Sequence, residues 1–263
     1  YGHAGADVPT TYLPREEVEA EEANDPLLHS VRLLSEAGAM TPAVALSVYE
    51  ETNERVRRIA AEAVTRPRLR NAQEVMASLI PPRRACKPTN GPGAEARAKA
   101  FGGDTKAMDE PQIMSRLINW ALTDLMLEHP EIVMMGEDVG RKGGVYGVTQ
   151  KLIHRFGPDR MIDTLLDEQS ILGLAIGMAQ NGFVPMPEIQ FLAYLHNAED
   201  QIRGEAATLP FSSNGQYTNP MVVRVAGLAY QKGFGGHFHN DDSLAVLRDI
   251  PGLVLACPST GAD

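Results

Sequence analysis

The chain has 263 residues, of which 43% are hydrophobic, 24 are Lys or Arg and 34 are Asp or Glu, giving a formal net charge of −10. This length and composition predict a globular protein of one large or two modest domains, and they exclude a disordered or collagen-like chain. The acidic balance argues against nucleic acid as a partner, because phosphate binding needs a basic face.

A cytoplasmic location without a membrane partner is expected from the cysteine and hydropathy patterns. The two cysteines, Cys86 and Cys257, cannot build a disulfide framework, which indicates a reducing compartment. The longest apolar run is far shorter than the roughly 20 residues that span a bilayer. No targeting segment is visible at the start, because the first residues lack a basic and apolar leader.

Residues 1–79 are predicted to be a charged helical region. Pro14 and the acids that follow it are typical of a helix start. The apolar spacing from Pro42 to Thr65 fits one long amphipathic helix. No part of this region is predicted to form a strand.

Residues 80–108 are predicted to be a Pro/Gly-rich basic linker. Six basic residues and two acids fall here, and apolar residues are sparse. So few apolar side chains do not offset the entropy of ordering the backbone, so we expect a mobile, solvated tether. A basic surface for a partner is the alternative interpretation.

Residues 109–263 alternate helices and strands. Helices are predicted over Ile113–Leu127, Glu168–Gln180 and Ala198–Leu209. The predicted strands are short apolar runs: Ile132–Met135, Phe183–Met186, Met221–Arg224 and Leu253–Ala256. Strands separated by helices predict an α/β fold with a parallel sheet covered on both faces.

Glu168 lies where a predicted strand gives way to a helix, at the end of a parallel sheet where ligands collect. One interpretation is an ordinary acidic residue in the first turn of a helix. The other is a buried acid whose pKa is raised by desolvation, so that it donates a proton near neutral pH.

Two further segments are candidates for ligand binding. Tyr194 follows the next strand and is either a core residue or a platform for a flat heterocycle. The Gly-rich turn 233–240 carries His237 and His239. The spacing of these histidines matches no standard zinc site, so a ligand-binding loop is favoured over a metal site.

In combination these residues resemble a known family. Residues 109–263 resemble the β subunit of thiamine-diphosphate-dependent 2-oxo acid dehydrogenases, and residues 1–79 resemble the end of the α subunit. The β-like motifs occur in the family's order: Gly136-Glu137-Asp138-Val139, Gly143-Gly144-Val145-Tyr146, Asp163-Thr164 with Glu168-Gln169, Glu188-Ile189-Gln190-Phe191, Asp200-Gln201, Gly235-Gly236-His237-Phe238-His239 and Pro251-Gly252-Leu253. The α-like motifs are Gly2-His3, Arg15-Glu16-Glu17 and Asp25-Pro26-Leu27.

The resemblance implies a fold, a reaction and residue roles. The fold would be a three-layer, transketolase-like pyrimidine-binding domain preceded by a helical segment. The reaction would be oxidative decarboxylation of a 2-oxo acid, with acyl transfer to a lipoyl group on an acyltransferase. Glu168 would bond the aminopyrimidine ring nitrogen of the cofactor and Tyr194 would contact that ring. His239, with His237 beside it, would face the substrate, and His3 would lie near the diphosphate.

The chain also departs from the family pattern. Asn240-Asp241 stands where Ser-Gln commonly follows the second histidine, and Ser170 replaces a usual glycine. The Gly-Asp-Gly…Asn motif that binds diphosphate and Mg is absent, as is the β subunit's C-terminal domain. We therefore expect a fragment of a fused α–β enzyme, inactive by itself, whose parent is a homodimer or an α2β2-like assembly.

Other functions remain open on this sequence. The Glu188–Tyr194 block is closer to the branched-chain type than to the pyruvate type, but it does not identify the 2-oxo acid. One alternative is a non-catalytic binding module of the same fold. Another is a different thiamine-diphosphate enzyme, such as a transketolase-like one.

Overall fold

The computed structural model describes residues 6–77, 90–228 and 235–263. The chain divides into two compact units, residues 1–69 and 70–263. The predictions for His3, for Cys86, for residues 80–89 of the linker and for residues 233–234 lie outside the described residues. No helix within the described ranges is both long and apolar enough to cross a membrane.

The first unit is helical in its described part, as predicted. Its α-helices are α1 (Arg15–Glu22), α2 (Pro26–Glu36) and α3 (Pro42–Ala63), and a 3₁₀ turn covers Pro9–Thr11. Local caps explain two of the helix starts, because a proline opens each helix and the preceding side chain accepts a backbone amide. Asp25 accepts from the Leu27 amide at 2.7 Å, and Thr41 accepts from the Val44 amide at 3.3 Å. The long helix predicted over 42–65 is confirmed as α3.

The described part of the predicted linker is helical. It contains α5 (Ala94–Phe101) and a 3₁₀ segment (Gly102–Asp109). Phe101 is buried beneath the guanidinium groups of Arg97 and Arg155, and Arg97 also pairs with Asp124 at 2.9 Å. The prediction of a mobile tether is wrong for residues 94–109. Alanine favours a helix over residues 94–101, and the buried Phe101 side chain attaches this segment to the unit. Both effects act although the segment as a whole is poor in apolar residues.

The second unit is built on a sheet of parallel strands, as predicted. Within the described residues the strand order is β2-β1-β3-β4, and every pairing is parallel. The strands are β1 (Ile132–Gly136), β2 (Met161–Asp163), β3 (Val184–Ile189) and β4 (Arg224–Val225). The helices of this unit other than α5 are α4 (Ala72–Met76), α6 (Met114–Glu128), α7 (Leu152–Phe156), α8 (Glu168–Gln180), α9 (Leu192–Leu195), α10 (Leu209–Ser212) and α11 (Leu244–Arg248).

Helices cover both faces of the sheet, which gives the predicted three layers. Successive side chains of a strand point to opposite faces, and all of β1 is buried. On one face Ile132 and Met134 pack with α6 and α7, and on the other Val133 and Met135 pack with α8. This arrangement explains why β1 is continuously apolar.

The structure differs from the predictions near the end of the chain. The strand predicted over Met221–Arg224 is reduced to Arg224–Val225, and the helix predicted over Ala198–Leu209 contains a π-helix, Gln201–Ala206. The strand predicted over Leu253–Ala256 is wrong, since this segment is irregular and Val254 is 96% exposed. The backbone groups of a strand need hydrogen-bond partners on a neighbouring strand. The edge strand that precedes this segment in the chain is β4, which has only two residues and so offers few partners.

Candidate active site

The carboxyl end of the sheet carries a row of charged side chains. Strand register aligns Asp163, Gly136, Glu188 and Arg224 across β2, β1, β3 and β4. Glu188 is 2% exposed and pairs with the Arg224 guanidinium. Burial lowers the pKa of Arg224 to about 10, so the guanidinium is still a cation at neutral pH and balances the buried carboxylate.

Two acids of this row hold the loop that follows β1. The Gly140 amide donates to Asp163 Oδ1 at 2.6 Å, and the Val145 amide donates to Glu188 Oε1 at 3.1 Å. Gly144 has φ +66°, and a Cβ there would lie 2.8 Å from Glu188 Oε1. Only glycine permits so close an approach of loop and carboxylate.

The loop presents Tyr146 in a strained conformation. Tyr146 has φ 55°, in the left-handed region that side chains disfavour. The residue is 51% exposed, and its ring makes an edge contact with the Phe191 ring, with 6.2 Å between centroids. Burial raises the pKa of the Tyr146 phenol, so it remains a neutral donor. Strain of this kind is commonly retained at functional sites.

Phe191 is the centre of an aromatic cluster that contains two predicted site residues. Its ring lies 6.0 Å from that of Tyr194 and 4.3 Å from that of His239, both edge-on. Tyr194 Oη and His239 Nε2 are 3.4 Å apart. The structure therefore brings together Tyr194 and His239, which are 45 residues apart in the chain.

The hydrogen bonds of His239 define its neutral tautomer. Nδ1 lies 2.9 Å from the Gly235 carbonyl oxygen, which only accepts. Nδ1 must therefore carry a proton, and in neutral His239 the lone pair is on Nε2, towards the Tyr194 hydroxyl. The ring can accept or relay a proton at that atom.

Glu168 begins α8 at the carboxyl edge of the sheet. Its side chain is half-buried, less enclosed than the buried acid considered from the sequence. The Asn197 amide donates to Glu168 Oε2 at 3.2 Å. Asn197 lies in the 3₁₀ turn (His196–Ala198) that continues α9, so the helix that carries Tyr194 also orients Glu168.

Sequence reasoning assigned no role to Glu137, which lies near Glu168. Burial raises the pKa of Glu137, with smaller contributions from the charges of Asp138 and Glu168. A neighbouring negative charge disfavours ionisation of Glu137 in the same direction as its burial does. The signal available in the sequence was the position of Glu137, directly after a fully apolar strand.

The remaining predicted site residues lie apart from this cluster or outside the described residues. His237 is exposed, and its ring packs against Phe238 with 4.1 Å between centroids. Within the described ranges, no group of three or more His, Cys, Asp or Glu side chains is arranged to hold a metal ion. His3 precedes the described residues.

Comparisons with known proteins agree with the resemblance. The family model described as "Transketolase, pyrimidine binding domain" matches residues 111–263. The chain is 39% identical over 147 residues to the 2-oxoisovalerate dehydrogenase subunit beta of Bacillus subtilis, which covers 56% of this chain and 44% of that protein.

Two other relatives match at similar identity and over a similar length. Identity is 38% over 151 residues to the 3-methyl-2-oxobutanoate dehydrogenase subunit beta of Mycobacterium tuberculosis, covering 57% of this chain and 42% of the relative. It is also 38% over 151 residues to the pyruvate dehydrogenase E1 component subunit beta of Staphylococcus epidermidis, covering 56% and 44%. The chain thus spans less than half the length of these curated relatives. The chain belongs to the transketolase pyrimidine-binding-domain family, and these relatives are named as β subunits of 2-oxo acid dehydrogenases.

Proposed function

We propose that this chain supplies the aminopyrimidine-binding side of a thiamine-diphosphate-dependent 2-oxo acid dehydrogenase. The proposal rests on the placement of Glu168 and the Tyr194–His239 pair near the end of α9. Asn197, which follows that helix, donates a hydrogen bond to the Glu168 carboxylate. In the proposed reaction CO₂ leaves the 2-oxo acid. The acyl group and two electrons pass to a lipoyl disulfide of an acyltransferase, which gives an S-acyl thioester and a free thiol.

The residues present fit a flat, nitrogen-containing ring. A half-buried carboxylate matches a ring nitrogen, and the partly buried ring of Tyr194 offers an aromatic surface beside it. When bound, thiamine diphosphate supplies the nucleophilic carbon and the electron sink for decarboxylation. The protein's task is then to bind, orient and protonate.

Four side chains, with Asn197 in support of one of them, have assigned roles in this proposal. Glu168 exchanges a proton with the aminopyrimidine nitrogen, while the bond from Asn197 fixes its Oε2. Tyr194 contacts the ring face and orients His239 through Oη. The His239 ring faces the substrate and the acyl-transfer step, with His237 beside it.

Diphosphate and Mg binding are proposed to come from elsewhere. The Gly-Asp-Gly…Asn motif is absent from this sequence, so an α half must supply it, with His3 near the diphosphate. The active parent is proposed to be a cytoplasmic homodimer or α2β2-like assembly that meets a lipoyl acyltransferase.

The test combines the purified chain with an α half that carries the diphosphate motif, thiamine diphosphate and Mg²⁺. CO₂ release from pyruvate and from 3-methyl-2-oxobutanoate is measured with a dye as electron acceptor. Release that depends on both chains supports the proposal, and the two rates identify the preferred acid. The isolated chain is expected to show no turnover and weak cofactor binding.

Two results would contradict this proposal. Normal turnover by the isolated chain would show that no second half is needed. Absence of both CO₂ release and calorimetrically detected cofactor binding in the combined sample would favour a non-catalytic module of the same fold.

A further inference from the structure

The turn that carries His239 is joined to the end of α9 by two parallel contacts. Tyr194 meets His239 at 3.4 Å, and His196 Nε2 meets Asp241 Oδ2 at 3.1 Å. Each pair is separated by 45 residues. The segments 194–196 and 239–241 therefore lie side by side. On each segment the two contacting residues are separated by one residue.

Asp241 is anchored on its own side of this junction. Its Oδ1 accepts the Ser243 amide at 3.0 Å and also the Ser243 hydroxyl. These bonds, with a smaller contribution from His196, lower the pKa of Asp241 and outweigh its burial. Asp241 is therefore an oriented anion facing the His196 ring.

Further polar bonds lie within the turn itself. His239 bonds the Gly235 carbonyl through its amide and Nδ1, and the Asn240 side chain bonds the Gly236 carbonyl. Such bonds shape the turn, but they do not fix its position on the domain. The ring contacts with Phe191 and Tyr194 and the Asp241–His196 pair join the turn to the rest of the domain.

We propose that Asp241, acting through His196, is a positioning residue that holds His239 Nε2 against Tyr194. The inference rests on the function proposed above for His239. It also concerns the position at which the chain departs from the family's usual Ser-Gln, so that a carboxylate occupies the second place after His239. The His196 and Asp241 side chains are 38% and 19% exposed, and such pairs add little to global stability. The expected effect is therefore local.

The test compares Asp241→Ala with Asp242→Ala, which removes the same charge one residue further along. The first readout is hydrogen–deuterium exchange of the amides of residues 236–243 in the isolated chain. Asp241→Ala should accelerate exchange about two- to fivefold, the factor that a partly exposed pair supports, and Asp242→Ala should leave it unchanged. Equal exchange in the two variants would overturn the proposal.

The second readout is kinetics of the chain combined with the α half. Asp241→Ala should lower kcat about two- to fivefold with KM little changed, because the lost factor is again that of a partly exposed pair. Exchanging the partners, His196→Asp with Asp241→His, should restore most of kcat. An unchanged kcat despite faster exchange would overturn the positioning role.

The two readouts separate this inference from the proposed function. If the wild-type combination neither releases CO₂ nor binds the cofactor, the proposed function fails, and the exchange comparison alone decides whether Asp241 anchors the turn. Asp241→Asn serves as a milder variant should Asp241→Ala unfold the chain. It keeps an acceptor for Ser243 while removing the charge, so it should give a smaller effect of the same sign. The absence of any effect in Asp241→Asn would count against the proposal.

Discussion

Tyr146 and Glu137 are two residues whose backbone conformation or ionisation is unfavourable in this fold. Both lie on the loop that follows β1, one in left-handed backbone and the other as a partly buried acid. Neither is explained by core packing, because Tyr146 is mostly exposed and Glu137 is only half-buried. Each therefore gives a prediction at the scale of a single residue.

Replacing Tyr146 by alanine and by glycine separates backbone strain from ring contact. Both variants lose the edge contact with Phe191, which is worth about 0.5–1.5 kcal/mol. Only Tyr146→Gly also relieves the left-handed strain, which costs about 1–2 kcal/mol for residues with a Cβ. Thermal unfolding should therefore find the glycine variant more stable than the alanine variant by about 1 kcal/mol. The opposite order, usual inside helices, would contradict the role of strain.

Glu137→Gln is predicted to stabilise the fold in a pH-dependent way. Above the raised folded-state pKa, the acid is ionised in both folded and unfolded states, and the folded state bears the cost of a repelled, partly desolvated charge. Below the ordinary unfolded-state pKa, both states are protonated and this cost is absent. Glutamine should raise the free energy of unfolding at neutral pH by less than about 1 kcal/mol, given solvent screening.

The gain from Glu137→Gln should disappear as the pH falls through the raised pKa towards the ordinary one. Chemical denaturation of the wild-type chain and of Glu137→Gln at several pH values measures this difference in the free energy of unfolding. A difference that does not vary with pH would mean that ionisation of Glu137 is not linked to folding.

At the scale of elements, the carboxyl edge of the sheet is held by the Glu188–Arg224 pair. The pair joins β3 to β4, and the Val145 amide attaches the loop to it. Glu188→Gln keeps an acceptor oxygen for that amide but leaves Arg224 as an uncompensated, largely buried cation. Breaking a buried pair in this way costs about 3–5 kcal/mol. Urea denaturation should show a loss of this size.

Removing the second charge should reverse much of that loss. The double variant Glu188→Gln with Arg224→Met is expected to be more stable than Glu188→Gln alone, because no buried charge remains. As a matched control, Asp124→Asn breaks the more exposed Arg97–Asp124 pair and should cost less than about 1 kcal/mol. A double variant no more stable than the single one would show that the charge of Arg224 is not the source of the loss.

The elements differ in how well the sequence predicted them. β1 and α8 were predictable because each has one strong pattern, a wholly apolar run and an acidic start before small apolar residues. The segment 253–256 has the same apolar run as a strand, yet a strand also needs a free edge, which local pattern does not reveal. Residues 94–109 were misjudged because one buried ring, Phe101, outweighs the polar average around it.

The same limit applies to the site. Glu168, Tyr194 and His239 were each singled out from the sequence, but their contacts span 29 to 45 residues and depend on the fold. The sequence marked Asp241 as part of a departure from the family pattern, but it did not predict the pairing of Asp241 with His196. Residue types that carry chemistry can be read from a sequence, whereas the residues that position them emerge from long-range geometry.

At the scale of the whole molecule, the sheet of the second unit brings two acids and a tyrosine of the candidate site to one edge. β1, β2 and β3 are parallel, so the segments that follow them, which carry Glu137, Glu168 and Tyr194, begin at the same edge. Since the chain spans 42–44% of the curated relatives it matches, the complete reaction is proposed for an assembly. The central claim is that Glu168 activates the cofactor in that assembly.

Exchange of the C2 proton of thiamine diphosphate with deuterium, followed by NMR on the chain combined with an α half, tests this claim most directly. Glu168→Gln should slow the exchange about 10²- to 10⁴-fold, the usual contribution of a general acid–base group. Asp167→Asn, which removes the neighbouring charge, should leave it near the wild-type rate. Exchange at the wild-type rate in Glu168→Gln would contradict the account.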